Sequence, residues 1–302
     1  MEDSMTDWER KQLENQLSAL SLSWEEGGIE LIRSKDGVHL CCVRSQGGSL
    51  VLKYLEKPEY RREIQLYRLL DSLAVPTIPI VAATQEAILL EDLEQSPVLR
   101  LAVAEDMADA KVAAALAVWY GKLHRAGKRY LQENPSAAGG FYRETDCLTA
   151  ENLARIREKT RTEGHPVWKL AETFLPRLLQ MLEQTEETLV YNDFYYTNMA
   201  VSRDRSSALL FDYNFLGAGL ACADLQNVTS ALSPAAGKVF LQAYGQICGT
   251  PSERDWLLAR VSGALASVYT ASCRESFPPW GHGLLAYLLD GDFSRHVELL
   301  LG

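Results

Sequence analysis

Between residues 29 and 55, apolar and polar positions alternate with a period of two. IELIRS, VHLCCVRS and LVLKYL read as three strands, separated by Lys35-Asp36-Gly37 and Gln46-Gly47-Gly48. Asp-Gly and Gly-Gly between β-rich runs are strong hairpin signals, because both supply the positive φ a tight turn needs. The period then lengthens. Pro58 opens EYRREIQLYRLLDSL, in which Ile64, Leu66, Tyr67, Leu69, Leu70 and Leu73 share one helical face. The prolines of VPTIPIV stop that helix, and TQEAILLEDL supplies another strand or two. The first ninety-odd residues thus predict a small α+β unit of roughly five strands and one helix, preceded by a helix at WERKQLENQLSAL.

After Leu93 the pattern is helical. EDMADAKVAAALAVWYGKLHRA opens with acids and closes with bases and Gly127, as the helix dipole and a glycine C-cap favour. VWKLAETFLPRLLQMLEQ follows, with a kink expected at Pro176; Ser233 and Ser252 are predicted N-caps of two later helices. Only two short apolar segments interrupt the helices, TLVYND and SALLFDY. They are expected to pair as antiparallel neighbours, joined through NMAV and the turn Ser202-Arg203-Asp204-Arg205.

Charged residues make up 23% and hydrophobic ones 47% of the 302 residues, which excludes a disordered chain. The net charge is −10 without a block of like charges, against a nucleic-acid partner gripped through its phosphates. No apolar run approaches membrane-span length, no signal peptide is visible, and the six cysteines show no metal-ligand spacing. A cytoplasmic protein with reduced thiols is the expectation.

Chemistry concentrates in YNDFYYTN, residues 191–198, and in Asp212 of LLFDYNFLG. Asp212 and the Asn198 side-chain carbonyl suit a hard cation such as Mg²⁺, which takes few protein oxygens and completes its shell with water and phosphates. Asp193 is then left to accept a proton from an attacking hydroxyl. Aspartate and asparagine also end strands simply because they make turns, so these three residues alone leave both readings open. Lys53 lies inside the apolar run LVLKYL, where an ammonium needs a partner or a ligand. Glu63 stands on the following helix, among apolar neighbours that turn it toward the sheet; a solvated edge lysine and a surface glutamate are the plainer alternative.

The order Lys53, Glu63, Asp193, Asn198, Asp212 resembles the protein-kinase-like phosphotransferases, within them the aminoglycoside phosphotransferase and choline kinase branch. VLKYL is similar to that family's strand-three lysine motif, and YRREIQLYRLL to its helix with the pairing glutamate. LVYNDFYYTNMAV stands where the family has His-Gly-Asp-x-x-x-x-Asn, and LLFDYNFLGAGLACADL resembles its metal aspartate followed by a second one, here Asp224. The resemblance covers roughly residues 29–230. It implies a bilobal protein-kinase-like α+β fold, with a small sheet-rich N-lobe at 1–93 and a larger helical C-lobe at 94–302.

It also implies roles. Lys53, fixed by Glu63, would hold the α- and β-phosphates of ATP or GTP. Ser34, Lys35, Asp36 and Gly37 would cover the phosphates with backbone N–H groups, and the main chain of Glu91, Asp92 and Leu93 would meet the base. Asn198 and Asp212 would hold Mg²⁺, and Asp193 would be the catalytic residue. Tyr191 and Asn192 depart from the family's His and Gly, Asn214 stands where many relatives have an acid, and only Gly37 remains of the glycine-rich loop. Asp224 is expected to support the loop through hydrogen bonds and His124 to be a satisfied helix-end histidine.

The implied activity is transfer of a nucleotide's terminal phosphate to a hydroxyl of a small molecule: aminoglycoside-, choline-, sugar- or amino-alcohol-like. A kinase-fold binding protein without turnover is the alternative, favoured by the two loop departures and opposed by the joint presence of Lys53, Asp193, Asn198 and Asp212. Residues 1–93 hold 16 acids and 10 bases and the rest 24 and 20, so no acidic acceptor pocket stands out in the C-terminal region. Tyr195, Tyr196, Phe277 and Trp280 are candidates to box a cationic acceptor, with plain core packing the commoner alternative. Oligomeric state is left open.

Overall fold

A computed structural model describes residues 5–302. The alternating stretch forms β1 (Ile29–Lys35), β2 (Val38–Ser45) and β3 (Gly48–Leu55), and the next apolar runs form β4 (Ile80–Ala83) and β5 (Ala87–Glu91). They make one antiparallel sheet in the order β1-β2-β3-β5-β4. The β1–β2 turn consists of Asp36 and Gly37, both at positive φ (56° and 86°), as a two-residue turn between right-twisted strands requires.

Helix α1 (Asp7–Ala19) lies on this sheet. Its Leu13 and Leu17 are fully buried in a cluster with Cys41, Val43, Leu52, Tyr54 and Leu89. Side chains alternate along a strand, so Leu52 and Tyr54 face α1 and Lys53, between them, faces the other way. Helix α2 (Arg62–Ser72) follows a 3₁₀ turn at Pro58–Tyr60 and buries Glu63, Ile64, Leu66, Tyr67 and Leu70.

The chain divides into two compact units whose bounds differ from a break at Leu93. The first runs to Lys122 and takes in Tyr195–Asn214 and Leu232–Phe240; the second comprises Leu123–Phe194, Phe215–Ala231 and Leu241–Gly302. Secondary-structure content changes at Leu93, but compactness does not follow it, because a second small sheet belongs with the first unit. That sheet orders β6 (Leu99–Leu101), β8 (Met199–Ser202) and β9 (Ala208–Leu210), while β7 (Thr188–Val190) pairs with β10 (Gly217–Gly219) in the second unit. The expected pairing of TLVY with ALLFD is therefore overturned. ALL pairs with MAV instead, because the serine-rich turn after Ser202 closes that hairpin locally: the Ser202 hydroxyl donates to Asp204 (2.6 Å) and accepts from the Ser207 N–H (2.9 Å).

In the second unit the helices Val167–Gln184 and Glu253–Ser272 carry an extended apolar cluster, with Trp168, Phe174, Leu178, Leu265 and Phe293 buried in it. The first of these continues through Pro176. Ser252 caps the second through the Asp255 N–H, and Ser233 accepts from the Ala236 N–H at the start of the helix Pro234–Cys248. Helix α3 (Ala110–Glu133) continues past Gly127, contrary to the C-cap expectation. That glycine is there for space: a Cβ on it would stand 2.5 Å from the Leu189 nitrogen of β7. The six cysteines are free thiols. No helix among the described residues is long and apolar enough to cross a membrane.

Candidate active site

The first unit brings four of the singled-out residues together. Lys53 is nearly buried, and its Nζ lies 2.9 and 2.7 Å from the two Glu63 carboxylate oxygens and 2.8 Å from Asp212 Oδ1. Strand alternation points the lysine at α2, and Glu63 sits in the first turn of that helix with its side chain fully buried. Burial works against the ammonium, but the facing carboxylates of Glu63 and Asp212 outweigh it and hold the Lys53 amine above its ordinary range.

Asn198 reaches the same place through the β8–β9 ladder. Met199 pairs with Leu210, and one residue further the Phe211 N–H donates to the Asn198 carbonyl (3.0 Å), which sets Asn198 beside the peptide leading into Asp212. Asp212 itself has φ 64°, a left-handed conformation that Asp tolerates better than most residues. Its Oδ1 accepts from Lys53 and from Asn214 Nδ2 (2.7 Å), and its side chain stays 36% exposed.

At this site Arg62 escaped sequence reasoning, and Asn214 stood out only as a departure from the family pattern. Asn214 turns its amide N–H toward Asp212 and leaves Oδ1 buried without a hydrogen-bond partner. Arg62 donates to the Asn214 carbonyl. A signal for the arginine was available: Arg61 and Arg62 open α2, at the positive end of the helix dipole where cations are disfavoured. Such residues need outside partners, and Arg61 finds the Leu55 and Glu56 carbonyls and the Glu86 carboxylate.

The other candidates have these surroundings. In the hairpin, the Ser34 hydroxyl is on the α1 side of the sheet, donating to Glu9 Oε1 (2.9 Å), whereas Lys35 ends β1 and Asp36 and Gly37 form the turn. Glu91 ends β5 and gives its N–H to the Pro79 carbonyl, the Asp92 carboxylate accepts the Glu94 N–H, and Leu93 is buried. Asp193 belongs to the second unit, where the backbone just before it is tightly held. Asp224, buried on the helix Ala221–Ala231, accepts the Tyr191 N–H (2.7 Å) and the Asn192 N–H (2.9 Å). His124 Nε2 lies 3.0 Å from Asp224 Oδ2, and its Nδ1 lies 2.8 Å from the Tyr244 hydroxyl. Asn192 has φ 66°, which explains the residue type: where glycine is absent, asparagine is among the residues that best tolerate this region.

Among the described residues there is no cluster of three or more His, Cys, Asp or Glu side chains able to cage a metal. The donor set fits a hard cation that is shared with phosphates: a half-buried aspartate, an asparagine beside it, and an orphaned amide oxygen on Asn214.

Residues 43–259 match a family model described as a phosphotransferase enzyme family. No curated protein matches the chain in sequence. Among solved structures, a macrolide 2′-phosphotransferase from Brachybacterium faecium is 19% identical, covers 93% of this chain and 98% of its own, and superposes with a TM-score of 0.60. The choline kinase of Streptococcus pneumoniae, also solved with AMP, is 14% identical over 95% of this chain and 99% of its own, with a TM-score of 0.62. A choline/ethanolamine kinase family protein from Mesorhizobium loti is 13% identical over 97% and 99%, with a TM-score of 0.64. These likenesses show a protein-kinase-like α+β fold.

Proposed function

Because this chain belongs to the phosphotransferase enzyme family, we propose that it transfers the terminal phosphate of ATP or GTP to a hydroxyl of a small molecule. One observation carries the reading: the Lys53 ammonium is gripped at once by Glu63 and Asp212, 10 and 159 residues away in sequence. Such a buried ion cluster costs much desolvation, and as a device for fold stability alone it is a poor choice. As a device for holding an ammonium toward an anion it makes sense.

Lys53 would hold the α- and β-phosphates, with Glu63 fixing the ammonium. Asp212 and Asn198 would hold Mg²⁺, which when bound supplies neutralisation of the phosphate charge. Asp193 would orient the acceptor hydroxyl and take its proton as the O–P bond forms, since little other covalent work falls to the protein in a loose phosphoryl transition state. The AMP complex of the pneumococcal choline kinase supports the nucleotide. The acceptor class spans aminoglycoside-, choline-, sugar- and amino-alcohol-like molecules.

The test is thermal stabilisation by ATP and by GTP with and without Mg²⁺, followed by a phosphorylation screen over those four acceptor classes with wild type and Asp193→Ala. Stabilisation that requires Mg²⁺, and transfer that disappears in Asp193→Ala, are expected. Absence of a shift with either nucleotide would remove the proposal. Stabilisation without transfer to any acceptor would favour the binding-protein alternative.

A further inference from the structure

Helix α1 does more than cover the sheet. Thr6 and Glu9 form a capping box: the Thr6 N–H donates to Glu9 Oε2 (2.8 Å) and the Glu9 N–H to Thr6 Oγ1 (3.2 Å). That occupies one carboxylate oxygen. The other, Oε1, accepts the Ser34 hydroxyl at 2.9 Å, two residues before the β1–β2 turn. The Glu9 side chain is only 14% exposed, which an ordinary capping glutamate has no reason to be.

A histidine completes the anchor. His39, the cross-strand partner of Ser34, is buried; its Nδ1 lies 3.1 Å from Ser34 Oγ and 3.3 Å from Glu9 Oε1. Its Nε2 lies 3.3 Å from Glu56 Oε2, and its ring stacks on Tyr54 with centroids 5.6 Å apart. The Glu56 N–H in turn donates to the Gly37 carbonyl (2.9 Å), and the Lys57 stem closes on the turn so tightly that a Cβ on Gly37 would stand 3.0 Å from it. The turn is therefore braced from behind by α1 through Glu9, Ser34, His39 and Glu56. Apolar docking of α1 needs none of this, since Leu13 and Leu17 already secure the helix, and its far end is tied separately by Gln16 to Thr84 (2.8 Å) and Glu86 (3.0 Å).

We infer that Glu9 is a positioning residue for the Asp36–Gly37 turn, fixing through Ser34 and His39 the backbone that meets the nucleotide's phosphates. This rests on the phosphotransferase reading, and it assigns the N-terminal helix a part in nucleotide affinity. The anchor touches the phosphate end only, so it acts on ATP and not on adenosine.

The test measures MgATP and adenosine binding by calorimetry, on the full chain, well below the melting temperature of every variant. Glu9→Ala is expected to weaken ATP about five- to tenfold, the loss of one or two hydrogen bonds to a charged group, with adenosine affinity unchanged. Glu9→Gln keeps an acceptor oxygen for Ser34 and is expected within about twofold of wild type. Gln16→Ala loosens the other end of α1 and is expected to lower the melting temperature without moving ATP affinity. Equal ATP affinity in Glu9→Ala and wild type would overturn the inference. So would ATP and adenosine weakening in step, or Gln16→Ala matching Glu9→Ala. A wild type that binds no ATP would overturn the functional reading as well.

Discussion

Removing the Lys53 ammonium tests whether the buried cluster is held together as described. At contacts of 2.7 and 2.8 Å and an effective dielectric near 20, each carboxylate attracts the ammonium by about 6 kcal/mol. Desolvation offsets much of this, so the intact cluster contributes little net stability. Lys53→Met changes the balance, because the desolvation of Glu63 remains while its compensation goes. Asp212, 36% exposed, can take up water; Glu63, 0% exposed, cannot. The expected loss is about 3–5 kcal/mol, carried almost wholly by Glu63, or roughly 5–8 °C in melting temperature for a chain of this size. Differential scanning calorimetry without ligand measures it. The double variant Lys53→Met, Glu63→Leu removes both charges and is expected to recover most of the loss. A single variant that melts with wild type, or a double variant no better than the single, would refute the reasoning.

Three further outcomes are expected. Asp212→Ala leaves Lys53 its Glu63 partner and so melts near wild type without ligand, but loses the Mg²⁺ dependence of nucleotide binding in calorimetry; retained dependence would exclude Asp212 as a metal ligand. Burial pushes the Glu144 carboxyl up to about 7, so the folded chain binds a proton that the unfolded chain has lost. Stability at this group is therefore greatest below about 4.5 and falls as pH rises through 7, and Glu144→Gln should flatten that decline in a melting-temperature series from pH 4.5 to 8. Gly127→Ala forces a methyl to 2.5 Å from the Leu189 nitrogen and should cost about 1–3 kcal/mol in urea denaturation, whereas an ordinary mid-helix glycine would gain from the change.

Much of this was legible along the chain because it depends on short-range rules. Asp36-Gly37 fixed one turn and the period-two run fixed three strands within a residue or two. The burial of a lysine between Leu52 and Tyr54 announced that Lys53 needed a partner. What misled was reach. Pairing TLVY with ALLFD looked natural because both are apolar and close in sequence, but strand partners are chosen by the turn between them, and Ser202–Ser207 closes the nearer hairpin. Gly127 read as a helix stop because a glycine's usual meaning is conformational; here its meaning is a neighbour's proximity. Glu9 gave no signal and Asn214 only that of an absent acid, since a capping glutamate and an amide beside an aspartate are both ordinary until their second contacts are seen.

By itself, then, the sequence determined which elements form and which residues are candidates to carry chemistry, because periodicity, capping and turn preferences act over a few residues. Only the tertiary structure decided that Lys53, Glu63 and Asp212 share one buried cluster, that Asp224 holds the backbone ahead of Asp193, and that a helix from the start of the chain braces the first turn. Those contacts join residues 10 to 159 positions apart. Their energies come from excluding water around charged groups, a property of the folded surroundings that no local stretch of sequence contains.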